Sequence, residues 1–461
     1  MLSFSSSQLL VALLLIIYVG SILVSSHSRE VTGRQDYIGA SLLPSSHPEK
    51  ATGRKSTLPV IHRDGHSHPR SSSEQSRDIV QIIRLDNERV AFIQSKFRGV
   101  DQTLSSGKVR LGAILGAGNY VVNISLGTPK RGLTVAFDTG SALTWTQCLP
   151  CVVSCYRQVN LIFDPSRSSS YRNVSCASTT CAQIASGTSV PPSCSGSTCL
   201  YGIIYGDSSY SNGFFATEKL TLSPTDKINN FQFGCGQDNQ GLFGSLDGLM
   251  GLSRDRISIV EQTASKYGRI FSYCLPDTST PTGYLSLGAG GRSSAAFTPM
   301  LTLSEPSFYG VKLVAINIEG KRLPISPTVF SRAGTIIDSG TVITRLPRTA
   351  YRALRTAFRQ AMRRYLRARP PPGLILDTCY NLRRSINPHI PSVTFTFGGD
   401  VNINLTRNNL LYTISRSCEC LAFTGNSDDS SMGIYGNVQQ LKFEVTFNLP
   451  RRQIGFVPNS C

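Results

Sequence analysis

Phe137-Asp138-Thr139-Gly140-Ser141 returns 200 residues later as Ile337-Asp338-Ser339-Gly340-Thr341. An apolar run precedes each copy, Leu133-Thr134-Val135-Ala136-Phe137 and Thr335-Ile336-Ile337. Each therefore reads as a buried strand ending on a carboxylate, with glycine allowing the tight turn that presents it. A single Asp-Thr-Gly would be an ordinary turn. Two copies after apolar strands imply two related halves, each giving one carboxylate to a shared site. Two carboxylates a few ångströms apart do not both ionise easily, so one proton is shared. One member then serves as general base on a water while the other, still protonated, polarises a carbonyl.

The rest of the chain narrows the chemistry. Five of six histidines precede residue 70, and the sixth, His389, sits in the turn-like Asn387-Pro388-His389-Ile390-Pro391. A Ser-His-Asp or Cys-His hydrolase lacks its placed imidazole here. Seven of the 13 cysteines fall between Cys148 and Cys199. They predict a disulfide-stapled insert in an oxidising compartment. The alternative is a metal site at Cys148-x2-Cys151-x3-Cys155. An odd count leaves one thiol over, with Cys418 and Cys420 the candidates.

Residues 1–26 carry no charged side chain, and Leu9 to Val24 is almost continuously apolar. This predicts a secretory signal peptide cut after Ser26. A membrane anchor and a plastid transit peptide are the alternatives, the run being short for a span. No second run of membrane length follows. Residues 27–115 are polar, with Ile79, Ile82, Ile83, Val90, Ile93 and Phe97 at helical spacing. A prosegment with one amphipathic helix is expected, against a disordered linker. From Asn119 the pattern is β: Tyr120, Val122, Ile124 and Leu126 alternate, as do Val393, Phe395 and Phe397. One long helix is expected from Arg348 to about Arg369. The body is therefore all-β, in two lobes at 116–298 and 299–461. Sequons stand at Asn123, Asn173 and Asn404. Asn173, in the loop-like insert, is the favoured acceptor.

These residues resemble the pepsin family of aspartic proteases over roughly 118–461. Asp138-Thr139-Gly140-Ser141 and Asp338-Ser339-Gly340-Thr341 match its paired signatures. Tyr205-Gly206-Asp207-Ser208-Ser209 looks like the flap, and Trp145 stands where the family places the flap tyrosine's hydrogen-bond partner. Leu249-Met250-Gly251 and Ile434-Tyr435-Gly436 resemble the turns that complete each half. The cysteine pattern is similar to the plant nepenthesin-like subfamily, closest to its chloroplast-nucleoid DNA-binding type. The resemblance implies a bilobal acid protease fold with a cysteine-rich insert in the N-terminal lobe. It implies a Cys379–Cys420 bridge, with Cys418 the extra cysteine. It also implies a monomeric endopeptidase acting on extended peptides, secreted or vacuolar with the chloroplast as alternative, needing no metal or cofactor. Asp138 and Asp338 would activate the water; Thr139, Gly140, Ser141, Ser339, Gly340 and Thr341 would orient them; Tyr205, Gly206, Asp207 and Trp145 would close over the substrate. Ala142, at a commonly acidic position, and Ser208, at a flap glycine, depart from the pattern without removing a catalytic group.

Two rival readings come from the same residues. Nine arginines and no acid lie between Arg345 and Arg369 in a chain of net charge +18. Arg348, Arg352, Arg355, Arg359 and Arg363 step along one helical face. That face is either a polyanion or DNA site or a solvated surface. Some plant relatives of the resembled family are inhibitors of cell-wall hydrolases that have lost catalytic residues, so a silent binding protein is the other rival.

Overall fold

Short apolar strands alternating with Gly- and Asn-rich turns give a chain that is mostly β. The computed structural model describes residues 56–62, 72–98, 120–205, 209–241, 243–277, 282–288, 294–332 and 334–461, all within the unit 47–461. The expected signal peptide, and Gly206, Asp207 and Ser208, lie outside the described residues. No helix among the described residues is long and apolar enough to cross a membrane.

The two halves repeat one arrangement. The strand Arg131–Asp138 runs parallel to Gly248–Gly251, which pairs antiparallel with Trp145–Gln147. In the second half Thr335–Ile337 runs parallel to Gly433–Tyr435, which meets Thr344–Leu346 antiparallel. Asp138 thus ends, and Asp338 directly follows, a strand whose last residues are buried, which fixes where each carboxylate emerges. Thr144 Oγ1 accepts from Gly251 N at 3.3 Å, and Thr344 Oγ1 accepts from Gly436 N at 2.9 Å. The likeness therefore extends past the turns, with the Asp and Thr positions of the two halves 200 residues apart.

A shared antiparallel array joins the halves. Its order is Thr282–Leu287, Ile270–Cys274, Glu444–Asn448, Gln453–Val457 and Ala296–Leu301. Phe271 and Phe447 stack within it at 4.5 Å. The stretch expected to be a prosegment contributes a further strand, β1 (Ser56–His62), which pairs antiparallel along Thr282–Leu287 and buries Leu58 and Val60. Sequence reasoning missed β1, whose short apolar alternation is set in a polar, His-rich stretch. The expected amphipathic helix is α1 (Ser72–Phe97), with Ile83, Val90 and Ile93 buried.

The insert is stapled by Cys151–Cys155, Cys176–Cys194 and Cys181–Cys199, whereas Cys148 leads outward to Cys235. The cysteines of the metal alternative are thus taken up as disulfides. Cys274 bonds the terminal Cys461, and Cys379 bonds Cys420. Cys418 is a buried free thiol. Asn123, Asn173 and Asn404 are all exposed on strands.

The basic helix differs from its expected extent. It is α2 (Arg348–Ala361), and the chain then turns into a short strand, Arg367–Ala368, paired with Cys379–Tyr380. Competition from that strand pairing, with three prolines at 370–372 beyond it, explains the early stop. Tyr351, Leu354 and Phe358 pack inward. Arg355 and Arg359 both pair with Asp377, leaving Arg348, Arg352 and Arg363 as the fully exposed members of the row. Arg345 precedes the helix and is buried.

Candidate active site

The two Asp turns meet face to face. Gly140 N donates to Asp138 Oδ1 at 2.9 Å and Gly340 N to Asp338 Oδ1 at 3.2 Å. The opposite oxygens accept from hydroxyls: Asp138 Oδ2 from Ser141, and Asp338 Oδ2 from Thr341 at 2.5 Å. Behind the carboxylates the turns clasp one another. Thr139 N donates to Ser339 Oγ at 3.1 Å, and Ser339 N donates to Thr139 Oγ1 at 2.9 Å. Those reciprocal bonds fix the separation of the halves at the site, leaving the pair little freedom to drift. The glycines are needed for space. A Cβ on Gly140 would stand 2.5 Å from Arg89 Nη2 and 2.9 Å from Asp338 Oδ1.

Arg89 belongs to α1, and it occupies the site. Its Nη2 donates to Asp138 Oδ1 at 2.8 Å and to Asp338 Oδ1 at 3.0 Å. Those two oxygens are therefore no more than about 6 Å apart. Nη1 donates to Asp138 Oδ2 at 3.0 Å and Nε to Asp338 Oδ2 at 3.0 Å. The guanidinium bridges both carboxylates with its planar fork, the geometry that suits arginine to such pairs.

Electrostatics follow from burial and this bridge. Burial works to raise the Asp138 carboxyl, but Arg89 and the bonds from Ser141 and Gly140 carry it below its ordinary value. Burial raises the Asp338 carboxyl, Arg89 opposes, and the neighbouring Asp138 pushes it further up. One acid thus holds charge readily and the other holds a proton readily. Burial disfavours the Arg89 charge, yet the two carboxylates more than compensate, so its pKa rises.

A second contact from α1 lies beside the first. Asp86, one turn before Arg89 on α1, accepts from Val342 N at 2.6 Å, Ile343 N at 3.2 Å and Arg345 Nη2 at 3.0 Å. Asp86 and Arg345 are both buried. Burial lowers the Arg345 pKa and Asp86 opposes the shift.

On the other wall, Trp145 Nε1 donates to Tyr205 Oη at 2.6 Å. Tyr205 directly follows the first strand (Thr198–Ile204) of a hairpin whose return strand is Tyr210–Ser223. Phe243 packs edge-on against both rings.

Sequence reasoning did not foresee Arg89, Asp86 or Arg345. A signal was present. Ile79, Ile82, Ile83, Val90, Ile93 and Phe97 form the apolar stripe of α1, and Asp86 and Arg89 fall on the same stripe at helical spacing. Charges in mid-stripe imply that something opposite receives them.

A bilobal β scaffold whose repeated Asp-Thr/Ser-Gly turns converge on one cleft defines an aspartic-protease-type site. Comparison with known proteins agrees. Residues 120–289 match a family model described as xylanase inhibitor N-terminal, and 308–458 match xylanase inhibitor C-terminal. An aspartyl protease family protein of Arabidopsis thaliana is 48% identical over 418 residues, 88% of each chain. Nepenthesin-2, an aspartic proteinase of Nepenthes gracilis, is 33% identical over 382 residues, covering 80% of this chain and 84% of the relative. The solved structure of basic 7S globulin from soybean has the same fold, with TM-score 0.59 and 22% identity over 74% of this chain and 91% of the other. The chain belongs to the pepsin-like family of plant aspartic proteases.

Proposed function

We propose that this protein is an aspartic endopeptidase made as a proprotein, silent while Arg89 fills its dyad and active at acid pH once the prosegment leaves. The observation that carries this reading is the single guanidinium spanning Asp138 and Asp338. An arrangement that holds two carboxylates around one cation will, with the cation gone, hold two carboxylates around one water and one shared proton.

In the reaction that follows, the unprotonated member takes a proton from the water as it attacks the peptide carbonyl. The protonated member donates a hydrogen bond to the carbonyl oxygen as negative charge develops there. Gly140 N, Gly340 N, Ser141 and Thr341 keep each carboxylate aimed. Tyr205, held by Trp145, lies at the flap and helps exclude water from the peptide. Six disulfides in the described residues and the apolar start at 1–26 support a secretory route.

The family also includes proteins described as inhibitors, so a binding role is the competing reading. It predicts no turnover under any condition. Acid-processed protein incubated with a denatured protein substrate separates the two. Cleavage that disappears in Asp138→Asn and in Asp338→Asn supports the enzyme; undiminished cleavage in either variant refutes the dyad.

A further inference from the structure

We propose that Val342 N–H, Ile343 N–H and the Arg345 guanidinium form a carboxylate-binding subsite that, after prosegment removal, takes an aspartate or glutamate side chain of the substrate. The proposal rests on the endopeptidase reading above and names its substrate preference. The site is already occupied by a carboxylate. Asp86 is 0% exposed, and its two oxygens accept two backbone N–H groups and one guanidinium N–H. Three converging donors, one of them charged, favour an ionised carboxylate over a neutral amide.

Among the described residues Arg345 has no second carboxylate to fall back on. It is 2% exposed, and its other hydrogen bond goes to the adjacent Ile343 carbonyl at 2.7 Å. Asp86 is its one ion-pair partner among the described residues. Departure of α1 therefore leaves a cation in the cleft wall with its anion removed, which is costly unless an anion replaces it.

Pseudo-symmetry pairs Arg345 with Trp145 of the other half. Arg345 follows Asp338 by the same seven residues that separate Trp145 from Asp138. Both sit on a short strand that pairs antiparallel with the strand leading to a glycine, Gly248–Gly251 in one half and Gly433–Tyr435 before Gly436 in the other. The N-terminal half uses this position to hold the flap tyrosine. In the C-terminal half the equivalent side chain meets whatever fills the cleft, and in the proprotein that is Asp86.

The distance to the dyad bounds the substrate position. Asp86 precedes Arg89 by three helical residues, a rise of about 4.5 Å. An extended peptide advances about 3.3 Å per residue. The acidic residue thus falls within about three positions of the scissile bond.

The test uses enzyme matured from the full-length proprotein and a set of quenched fluorescent peptides. A single Asp is scanned across positions on both sides of the cleaved bond, each paired with the Asn peptide. At about pH 5, where a free aspartate is mostly ionised, one position is expected to favour Asp by at least about tenfold in kcat/KM. The gain should appear mainly in KM, and should shrink as pH falls and the substrate acid takes up its proton. Arg345→Gln is expected to bring the Asp/Asn ratio near one, and Arg345→Lys to retain part of it. Cleavage by the wild-type enzyme with equal Asp and Asn rates at every position overturns the subsite while leaving the peptidase intact. An unchanged ratio in Arg345→Gln overturns it as well. No cleavage of any peptide overturns the peptidase reading, and the subsite with it. Should Arg345→Gln fail to fold, the wild-type Asp/Asn comparison and its pH dependence decide alone.

Discussion

Replacing Arg89 with methionine keeps the unbranched stem and removes the charge. In the proprotein this deletes four charge-assisted hydrogen bonds to Asp138 and Asp338 from a side chain that is only 3% exposed. Removing one partner from a buried ion pair costs about 3–5 kcal/mol, because the other charge stays buried without compensation. Here the two carboxylates can share a proton, so the lower figure is the better guide, about 3 kcal/mol. At about 1.4 kcal/mol per decade, the fraction of molecules with the site uncovered should rise by about two orders of magnitude. The assay is hydrolysis of a quenched peptide by intact proprotein, read in the first minutes while mass spectrometry verifies that the chain is uncut. Arg89→Met should show turnover at mildly acid pH where wild type shows none, and Arg89→Lys should fall between them. A folded Arg89→Met proprotein as silent as wild type, at a pH where the matured enzyme works, would refute the idea that this guanidinium is the block.

Acidification should loosen α1 even in wild type. Of the two acids Asp138 is the one held below its ordinary value beside Arg89, which overcomes its burial. Its share of the docking free energy is therefore present above the ordinary carboxyl pKa and is lost as pH falls through the lowered one. Hydrogen exchange of α1 against pH should show protection at neutrality and loss in acid; the opposite slope would contradict the sign. Tyr205→Phe removes the bond from Trp145, worth about 1 kcal/mol, and should lower kcat/KM by about fivefold without changing the melting temperature by more than a few degrees. For the basic face, Arg352→Glu with Arg363→Glu is the proper probe, since Arg355 and Arg359 are engaged by Asp377. If that face binds a polyanion, heparin affinity and its salt slope should both fall; if it is merely solvated, neither should change.

The parts of this molecule legible in its sequence are those set by local pattern. Apolar runs ending on Asp138 and Asp338 read correctly as strands, since burial on both faces demands continuous hydrophobicity. Ile79, Ile83 and Val90 announced α1 by their spacing. What escaped is what depends on distant partners. Arg345 looked like one more member of a basic row, and only the fold shows it opposite Asp86, 259 residues away in sequence. The end of α2 at Ala361 was likewise hidden, because helix propensity runs on through Arg363 and Arg364 while the strand that captures Arg367–Ala368 comes from residues 379–380. Buried charge is the common thread. A local pattern shows that a charge is present and is silent about whether water or a carboxylate will meet it.

The place of β1 has one more consequence. Six of its residues, Ser56 to Ile61, are laced to Leu287 through Thr282, so severing the polypeptide after Phe97 does not by itself shed what lies upstream. Cutting and letting go are separate events with separate clocks. A denaturing gel counts the first, and only a native measurement counts the second. When β1 does go, it bares a sheet margin that invites another strand to take its place.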